Sequence, residues 1–521
     1  MRRQLGTFLT VFLLWAVLLS PGASAAPSPA GLEGGISGDL GINGSATYQE
    51  VVLVTGEPLV VSGTVMKRQG RARGNTVEDT YTYRLENKAA GLVLTRQLTL
   101  ATTWKEEGKQ VTAQTKAVRM RETITVGRTR YTLDEGSSVW NRSTVTVNEP
   151  AVSYFAGNVE GRRVYTINQN EGTVTVTLSG DITGYDQPWG RTEVQAMYGT
   201  VTFDRTWTTQ EQTTDDQGRP VRRTVEHHSS WDGTFTSQVS RTGKFDLKYV
   251  PNEPREISFA GGYLETETQE GILRVSYDLP RLDSAGEVSG SRRNRGEETL
   301  NLTGTPSTRR LPVPEYVDVG GRWSAADITL LGSLAAWDWQ DKYFHPTAPV
   351  TRREFALALA HALRLQPPAP PPTGRLPFGQ APPPPVSPYR DLAATDPAWP
   401  YLKEVSDRGI MTGVAPGYFG AKANLTRAQA VTAFIRALGF ENLSPAAAST
   451  GFADDREIPT WARGSFAVAR EIGLVSGDSF GRARPNAYLT REEAAGMLAR
   501  LITYLRQDIL RDYRDRIFLF H

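Results

Sequence analysis

Between about residues 45 and 305, apolar and polar side chains alternate one by one. Thr173-Val174-Thr175-Val176-Thr177-Leu178 puts two valines and a leucine on one face and three threonines on the other. Leu92, Leu94, Leu98 and Leu100 keep the same beat, broken by Arg96. A period of two is that of half-buried antiparallel strands. Glu107-Gly108, Asp215-Asp216-Gln217-Gly218 and Glu270-Gly271 each stand between two β-rich runs and are expected as hairpin turns. No helical period interrupts this half. The expected architecture is all-β: a long antiparallel meander folded as a sandwich, an open barrel or a strongly curved sheet.

Around Pro312-Val313-Pro314 the period changes. Trp323, Ile328, Leu331 and Leu334 fall at helical intervals, as do Phe355, Leu359 and Leu363, so the C-terminal part is expected to be all-α. Pro367-Pro368, Pro370-Pro371-Pro372 and Pro382 to Pro385 interrupt it with a polyproline spacer, for which docking to a proline-recognition module is the alternative. Tyr504 to Phe520 reads as one more amphipathic helix lying on the bundle.

At the other end, Arg2 and Arg3 precede an apolar run from Phe8 to Leu19 and a small-residue Ala23-Ser24-Ala25 site, the layout of a secretory signal peptide. The expected organisation is a signal peptide at 1–26, a flexible leader at 27–44 and a β-rich domain at 45–310. Helical units follow at 311–365, 389–441 and 452–505, with the proline-rich insertion at 366–388 and a terminal helix at 506–521. The absence of cysteine removes disulfides, thiolate metal sites and a lipid-modified cysteine. A net charge of +2 gives no bulk attraction for nucleic acid or an anionic membrane.

One pattern recurs three times. Tyr316-Val317-Asp318, Trp323 and Thr351-Arg352-Arg353-Glu354 are followed by Tyr389-Arg390-Asp391, Trp399 and Thr426-Arg427-Ala428-Gln429. Phe452-Ala453-Asp454, Trp461 and Thr490-Arg491-Glu492-Glu493 close the series. From tryptophan to arginine the gaps are 29, 28 and 30 residues. A repeat that keeps its spacing is one supersecondary unit copied, and such units stack to bury a core.

Threonine followed three residues later by Glu or Gln is a capping box, which predicts helix starts after Thr351, Thr426 and Thr490. Arg352, Arg427 and Arg491 then occupy the first helical position, where the helix dipole disfavours a cation. A bound carboxylate or phosphate would justify them, since unpaired N–H groups and a forked guanidinium make an anion site. The alternative is structural: each arginine pairs with Asp318, Asp391 or Asp454 of a neighbouring copy. Those aspartates have a structural alternative too, as caps for the helices carrying Trp323, Trp399 and Trp461.

The copies resemble S-layer homology repeats. The second supplies Gly409-Ile410-Met411-Thr412-Gly413, Phe419 and Leu425-Thr426-Arg427-Ala428-Gln429. The third supplies Ile472-Gly473-Leu474-Val475-Ser476-Gly477, Phe480, Pro485 and Leu489-Thr490-Arg491. In the first, Tyr343-Phe344-His345-Pro346 and Val350-Thr351-Arg352 match, but Ala335-Ala336-Trp337-Asp338-Trp339 replaces the Gly-Ile-x-x-Gly element. The resemblance implies three repeats packed as a pseudo-threefold helical bundle that anchors an exported protein at the cell surface. It implies binding of secondary cell-wall polysaccharide bearing pyruvyl carboxylates, or of a peptidoglycan-linked glycan. Arg352, Arg427 and Arg491 would hold the carboxylates. Asp318, Asp391 and Asp454 would shape the grooves and touch sugar, with Trp323, Trp399 and Trp461 beside them. The departure in the first copy is expected to bear on the groove that uses Arg352.

Elsewhere no catalytic spacing stands out, and no metal or cofactor is expected. His227-His228 lie on one strand and point to opposite faces, a surface polar pair rather than a chelate. Tyr185, Trp189 and Tyr198 form either a carbohydrate platform or part of a core. The β domain is therefore expected to be structural or adhesive, with surface-layer self-association as a further role, and not an enzyme. The alternatives are a wall-anchored polysaccharide hydrolase and an outer-membrane barrel gripping peptidoglycan, which needs apolar bands and aromatic girdles.

Overall fold

The computed structural model describes residues 33–38, 44–214, 220–251, 261–283, 286–337, 341–365, 386–443 and 449–509. The signal peptide, most of the proline-rich insertion and the end of the terminal helix lie outside these residues, as does the Asp215–Gly218 turn.

Among the described residues, fifteen strands join one sheet in which every pairing is antiparallel. The order follows the chain with two exceptions: Gln110–Val126 pairs at one end with Val139–Asn148 and at the other with Thr129–Leu133, both of which pair with Ser153–Ile167, and Ser307–Leu311 pairs with Gly262–Leu282 beside Val288–Thr303. The predicted meander is therefore present. The turn at Glu107-Gly108 joins paired strands as expected, and the strands flanking residues 215–219 pair with each other.

Two expectations are corrected. Residues 33–38 are not a flexible leader: Gly35–Ser37 pairs with Tyr48–Glu50, Ile36 is wholly buried, and buried Glu33 binds Arg142 at 2.8 Å. Nor is Glu270-Gly271 a turn. It lies inside the strand Gly262–Leu282, and a Cβ at Gly271 would stand 3.1 Å from the Ile36 Cβ. The glycine admits a neighbouring chain where a turn was expected. Through this contact, and through Arg241 donating to the Gly35 carbonyl at 2.6 Å, the sheet rolls until its first strand meets its last ones.

The roll encloses an apolar core running from Ile36 and Tyr48 to Val275 and Leu279. The broken leucine beat has its reason there. Arg96 points inward between two strands' carboxylates, with Nε 2.6 Å from Glu122 and Nη2 2.7 Å from Glu50. Tyr48 and Tyr165 donate to the same carboxylates at 3.0 and 3.1 Å, and the Tyr83 ring lies under the guanidinium. Burial alone would raise the Glu122 carboxyl, but Arg96 and Arg163 hold it below the usual range. A buried triad of this kind is costly to assemble and more costly to break.

The C-terminal part holds six α-helices among the described residues: α1 (Ala325–Ser333), α2 (Arg352–Ala362), α3 (Trp399–Asp407), α4 (Arg427–Leu438), α5 (Thr460–Glu471) and α6 (Arg491–Thr503). Tyr504–Asp508 continues α6 as a π-helical turn. Trp323 lies just before α1 rather than in it. The two parts share one apolar cluster, because the loop between strands Gly172–Gln187 and Gly190–Thr214 enters the helices. Trp189 donates its indole N–H to the Ala362 carbonyl at 2.8 Å, and Gln187 donates to Leu505 at 3.0 Å. Tyr185 and Trp189 are thus core residues, while Tyr198 is exposed.

Replacing Arg96 with leucine strips buried Glu50 of its hydrogen-bonded counter-ion and leaves buried Glu122 only Arg163, 4.0 Å away. The expected loss, read by denaturant unfolding, is about 3–5 kcal/mol. Replacing Arg96, Glu50 and Glu122 together with apolar residues should cost less than the single change.

Candidate functional site

The three Thr-Arg motifs meet at one point. Val350 donates its N–H to the Leu489 carbonyl at 2.9 Å, Leu489 donates to Leu425 at 3.0 Å, and Leu425 donates back to Val350 at 3.0 Å, closing a ring. Each of these residues is buried and stands one place before the threonine that caps a helix. All three capping boxes form, with Thr351, Thr426 and Thr490 accepting from the N–H groups of Glu354, Gln429 and Glu493. Around the ring α3 packs on α2, α5 on α4 and α1 on α6, so the first helix of each copy covers the second helix of the copy before it.

This order decides what each arginine meets. Arg352 is buried and reaches into the second copy, donating to the carbonyls of Phe419 at 3.1 Å and Thr412 at 2.8 Å, with its guanidinium 5.3 Å from the Phe419 ring. Arg427 reaches into the third copy, donating to Ser476 at 3.4 Å, while its Nε is buried with no partner among the described residues. Neither makes an ion pair among the described residues. Burial lowers both guanidiniums below their ordinary value, the mark of a cation short of a counter-ion. Arg491 differs. It reaches into the first copy, forms an ion pair with Glu354, and lies 4.8 and 5.5 Å from the rings of Phe344 and Trp337.

The missing Gly-Ile-x-x-Gly element of the first copy therefore bears on the Arg491 groove and not, as expected from sequence, on that of Arg352. Pairing of the arginines with Asp318, Asp391 or Asp454 is absent among the described residues. Each aspartate instead clasps backbone N–H groups within its own copy. Asp318 accepts from Phe344 and His345, Asp391 from Phe419, Gly420 and Ala421, and Asp454 from Ala483 and Arg484, all at 2.7–2.9 Å. They shape the loops beside the grooves and do not cap the helices that follow them. Burial opposes ionisation of Asp318 and Asp391, but the N–H groups overcome it and hold both carboxyls below the usual range.

The tryptophans are not equivalent. Trp399 is 4% exposed and packs edge-on to Tyr389, whereas Trp323 and Trp461 are 63% and 59% exposed. Trp461 lines a groove of about 320 Å³ with Arg352, and Trp323 lies over Gly496 on α6, next to the Met497 that touches Arg427. Gln429, Thr432, Ala433 and Arg436 line the Arg352 groove as well. The sequence reading missed these as groove residues, although their spacing of three, one and three places them on one helical face.

Of the histidines, His227 is mostly buried, with Nδ1 2.7 Å from Glu287 and its ring stacked on Trp207, and His228 faces solvent. No cluster of three metal-ligating side chains occurs among the described residues.

Residues 388–431 and 451–495, which cover most of the second and third copies, match the family model of the S-layer homology domain. An endoglucanase from Bacillus sp. (strain KSM-635) is 30% identical over 133 residues, 25% of this chain and 14% of that protein. A cell surface protein from Thermoanaerobacter kivui is 29% identical over 121 residues, 23% of this chain and 16% of that protein. The chain thus spans well under a fifth of the length of these relatives. A solved structure of a double mutant of the Serratia marcescens hemophore receptor HasR, with its hemophore HasA and heme, is 9% identical. The overlap covers 54% of this chain and 62% of that one at a TM-score of 0.14, too low to carry an argument about fold. No helix among the described residues is long and apolar enough to cross a membrane. The S-layer homology domains mark the chain as a cell-surface protein attached to the wall.

Asp454→Ala should cost about 2 kcal/mol in denaturant unfolding, because two N–H groups, that of buried Ala483 among them, lose their acceptor. The depressed carboxyls of Asp318 and Asp391 stabilise the fold at pH values above the ordinary aspartate value. Their contribution is lost as pH falls through the depressed values, so an acid titration of tryptophan fluorescence should show the helical part loosening in that window. Asp391→Ala should reduce this acid dependence.

Proposed function

We propose that residues 311–505 are three S-layer homology repeats arranged as a pseudo-threefold bundle. In this reading the bundle holds the protein on a carboxylate-bearing wall polysaccharide, either a pyruvylated secondary polymer or a peptidoglycan-linked glycan. Arg352 and Arg427 are the receptors, each at the base of an inter-copy groove, with Trp461 and Trp323 as exposed apolar walls for sugar rings. One observation supports this above all. Both guanidiniums are sheltered, make no ion pair among the described residues, and keep donating groups in reach of the groove. An arginine–carboxylate pair in open water is worth little, and shelter raises it. Two such sites on one polymer gain about a hundredfold or more through effective concentration.

The β roll is read as a structural or adhesive outer domain without catalysis, with self-association in a surface layer as its further role. The rival reading, a wall-anchored hydrolase, would need two free carboxylates in a cleft. Glu50 and Glu122 do converge, but on Arg96, beside a cavity of about 90 Å³. Ligand pockets begin at roughly 300 Å³. A barrel in an outer membrane would need an apolar outer band, whereas Arg84, Glu86, Lys116, Arg119 and Arg121 are exposed on the outer face.

The test is sedimentation of the full chain with purified wall sacculi, before and after chemical removal of the secondary polymer. Binding should vanish with the polymer and fall at least tenfold on joint Arg352→Ala and Arg427→Ala substitution. Binding that survives polymer removal, or ignores both arginines, refutes the polysaccharide anchor.

A further inference from the structure

One difference among the three grooves lies next to the arginine itself, at the third residue of the helix in the copy that each arginine enters. That residue is Gln429 for Arg352, Glu493 for Arg427 and Glu354 for Arg491. In every copy one oxygen of this side chain is committed to the capping box, accepting from the threonine N–H at 2.9–3.2 Å. The remaining atom decides the state of the arginine. In Glu354 it is a carboxylate oxygen, and it takes the Arg491 guanidinium. In Glu493 it is also a carboxylate oxygen, close enough to be felt by Arg427 but making no ion pair with it. In Gln429 it is a neutral amide, so the carboxylate that Arg352 feels is that of Asp391, whose oxygens are already held by three N–H groups.

The Arg352 groove carries a second sign of an unfilled site. The Thr432 hydroxyl, on its wall, is buried with no hydrogen-bond partner among the described residues. Nη1 of Arg352 likewise has no partner among them, while Nε and Nη2 are fixed by carbonyls. A buried hydroxyl and a positioned guanidinium beside an exposed indole match a sugar bearing a carboxylate: two polar groups for the acid and its neighbouring oxygen, and an apolar wall for the ring.

We infer that residue 429 and its counterparts grade the grooves, making that of Arg352 the principal acidic-sugar site, that of Arg427 a weaker second, and that of Arg491 closed. This rests on the anchoring reading above and assigns its selectivity to a residue outside the arginines themselves. It also reverses the expectation that the first copy's arginine is the impaired one.

Gln429→Glu is the direct test. The capping box tolerates it, since glutamate holds the same position after Thr351 and Thr490. Binding of the full-length protein to wall sacculi carrying their polymer should weaken about tenfold, as a like charge is placed beside the ligand carboxylate. Arg491→Ala should leave binding within about twofold. Where that variant folds poorly, Glu354→Gln removes the same ion pair while keeping its cap, and should bind no more weakly than the parent. Wild-type binding by Gln429→Glu, or a tenfold loss from Arg491→Ala or Glu354→Gln at unchanged melting temperature, overturns the grading. The joint Arg352→Ala and Arg427→Ala variant separates the two ideas. If it binds normally the anchor itself fails, whereas if it alone loses binding only the role of residue 429 fails.

Discussion

Three backbone hydrogen bonds, closed on themselves through Val350, Leu489 and Leu425, hold together the starts of the three helices that carry the groove arginines. Helices of 11 to 13 residues are marginal alone, and these three begin two residues beyond the ring, after the capping threonine. Their starts are therefore set by neighbouring copies as much as by their own caps. Further links repeat the arrangement: Arg352, Arg427 and Arg491 donate their backbone N–H groups to Ala423, Ala487 and Ala348. An arginine whose main chain is tied to the next copy has its side chain delivered there too. The grooves are thus a consequence of how the units close.

Much of this was legible in the sequence. The capping boxes marked the three helix starts, and the strict alternation marked the strands, because both are local rules with a fixed period. What was not legible depended on long-range order. Nothing near Arg352 says that it meets the glycine element of the following copy rather than its own, so the defect in the first copy was assigned to the wrong groove. Trp323, Trp399 and Trp461 occupy one position in the motif, yet only Trp399 is buried. Motif spacing carries no information about the surface against which an indole is laid. The aspartates looked like partners for cations but serve backbone amides, since a loop of buried N–H groups needs an acceptor more than a helix start already capped by threonine.

The β roll shows the same division. Arg96 could be singled out as the one break in a run of leucines, but its partners come from strands 46 and 26 residues away. Glu270-Gly271 had the composition of a turn, and the glycine answers instead to Ile36, a residue of a distant strand packed against it. Small residues mark places where something must come close. Whether that is the chain turning on itself or another of its strands passing is settled only by the closed roll. The interior charges make sliding of strands expensive, since a shift of one residue would turn Arg96 outward and leave Glu50 and Glu122 inside.

The loop carrying Gln187 and Trp189 is sunk among the helices, and Arg364 is clamped between Glu265 and the rings of Trp189 and Phe245. The two halves therefore meet as a socket joint without a swivel. A load applied to the β roll therefore passes through this joint directly into the bundle and does not first stretch a slack tether. Sideways loading must break these contacts together, so the β roll keeps its orientation on the bundle as firmly as its connection to it.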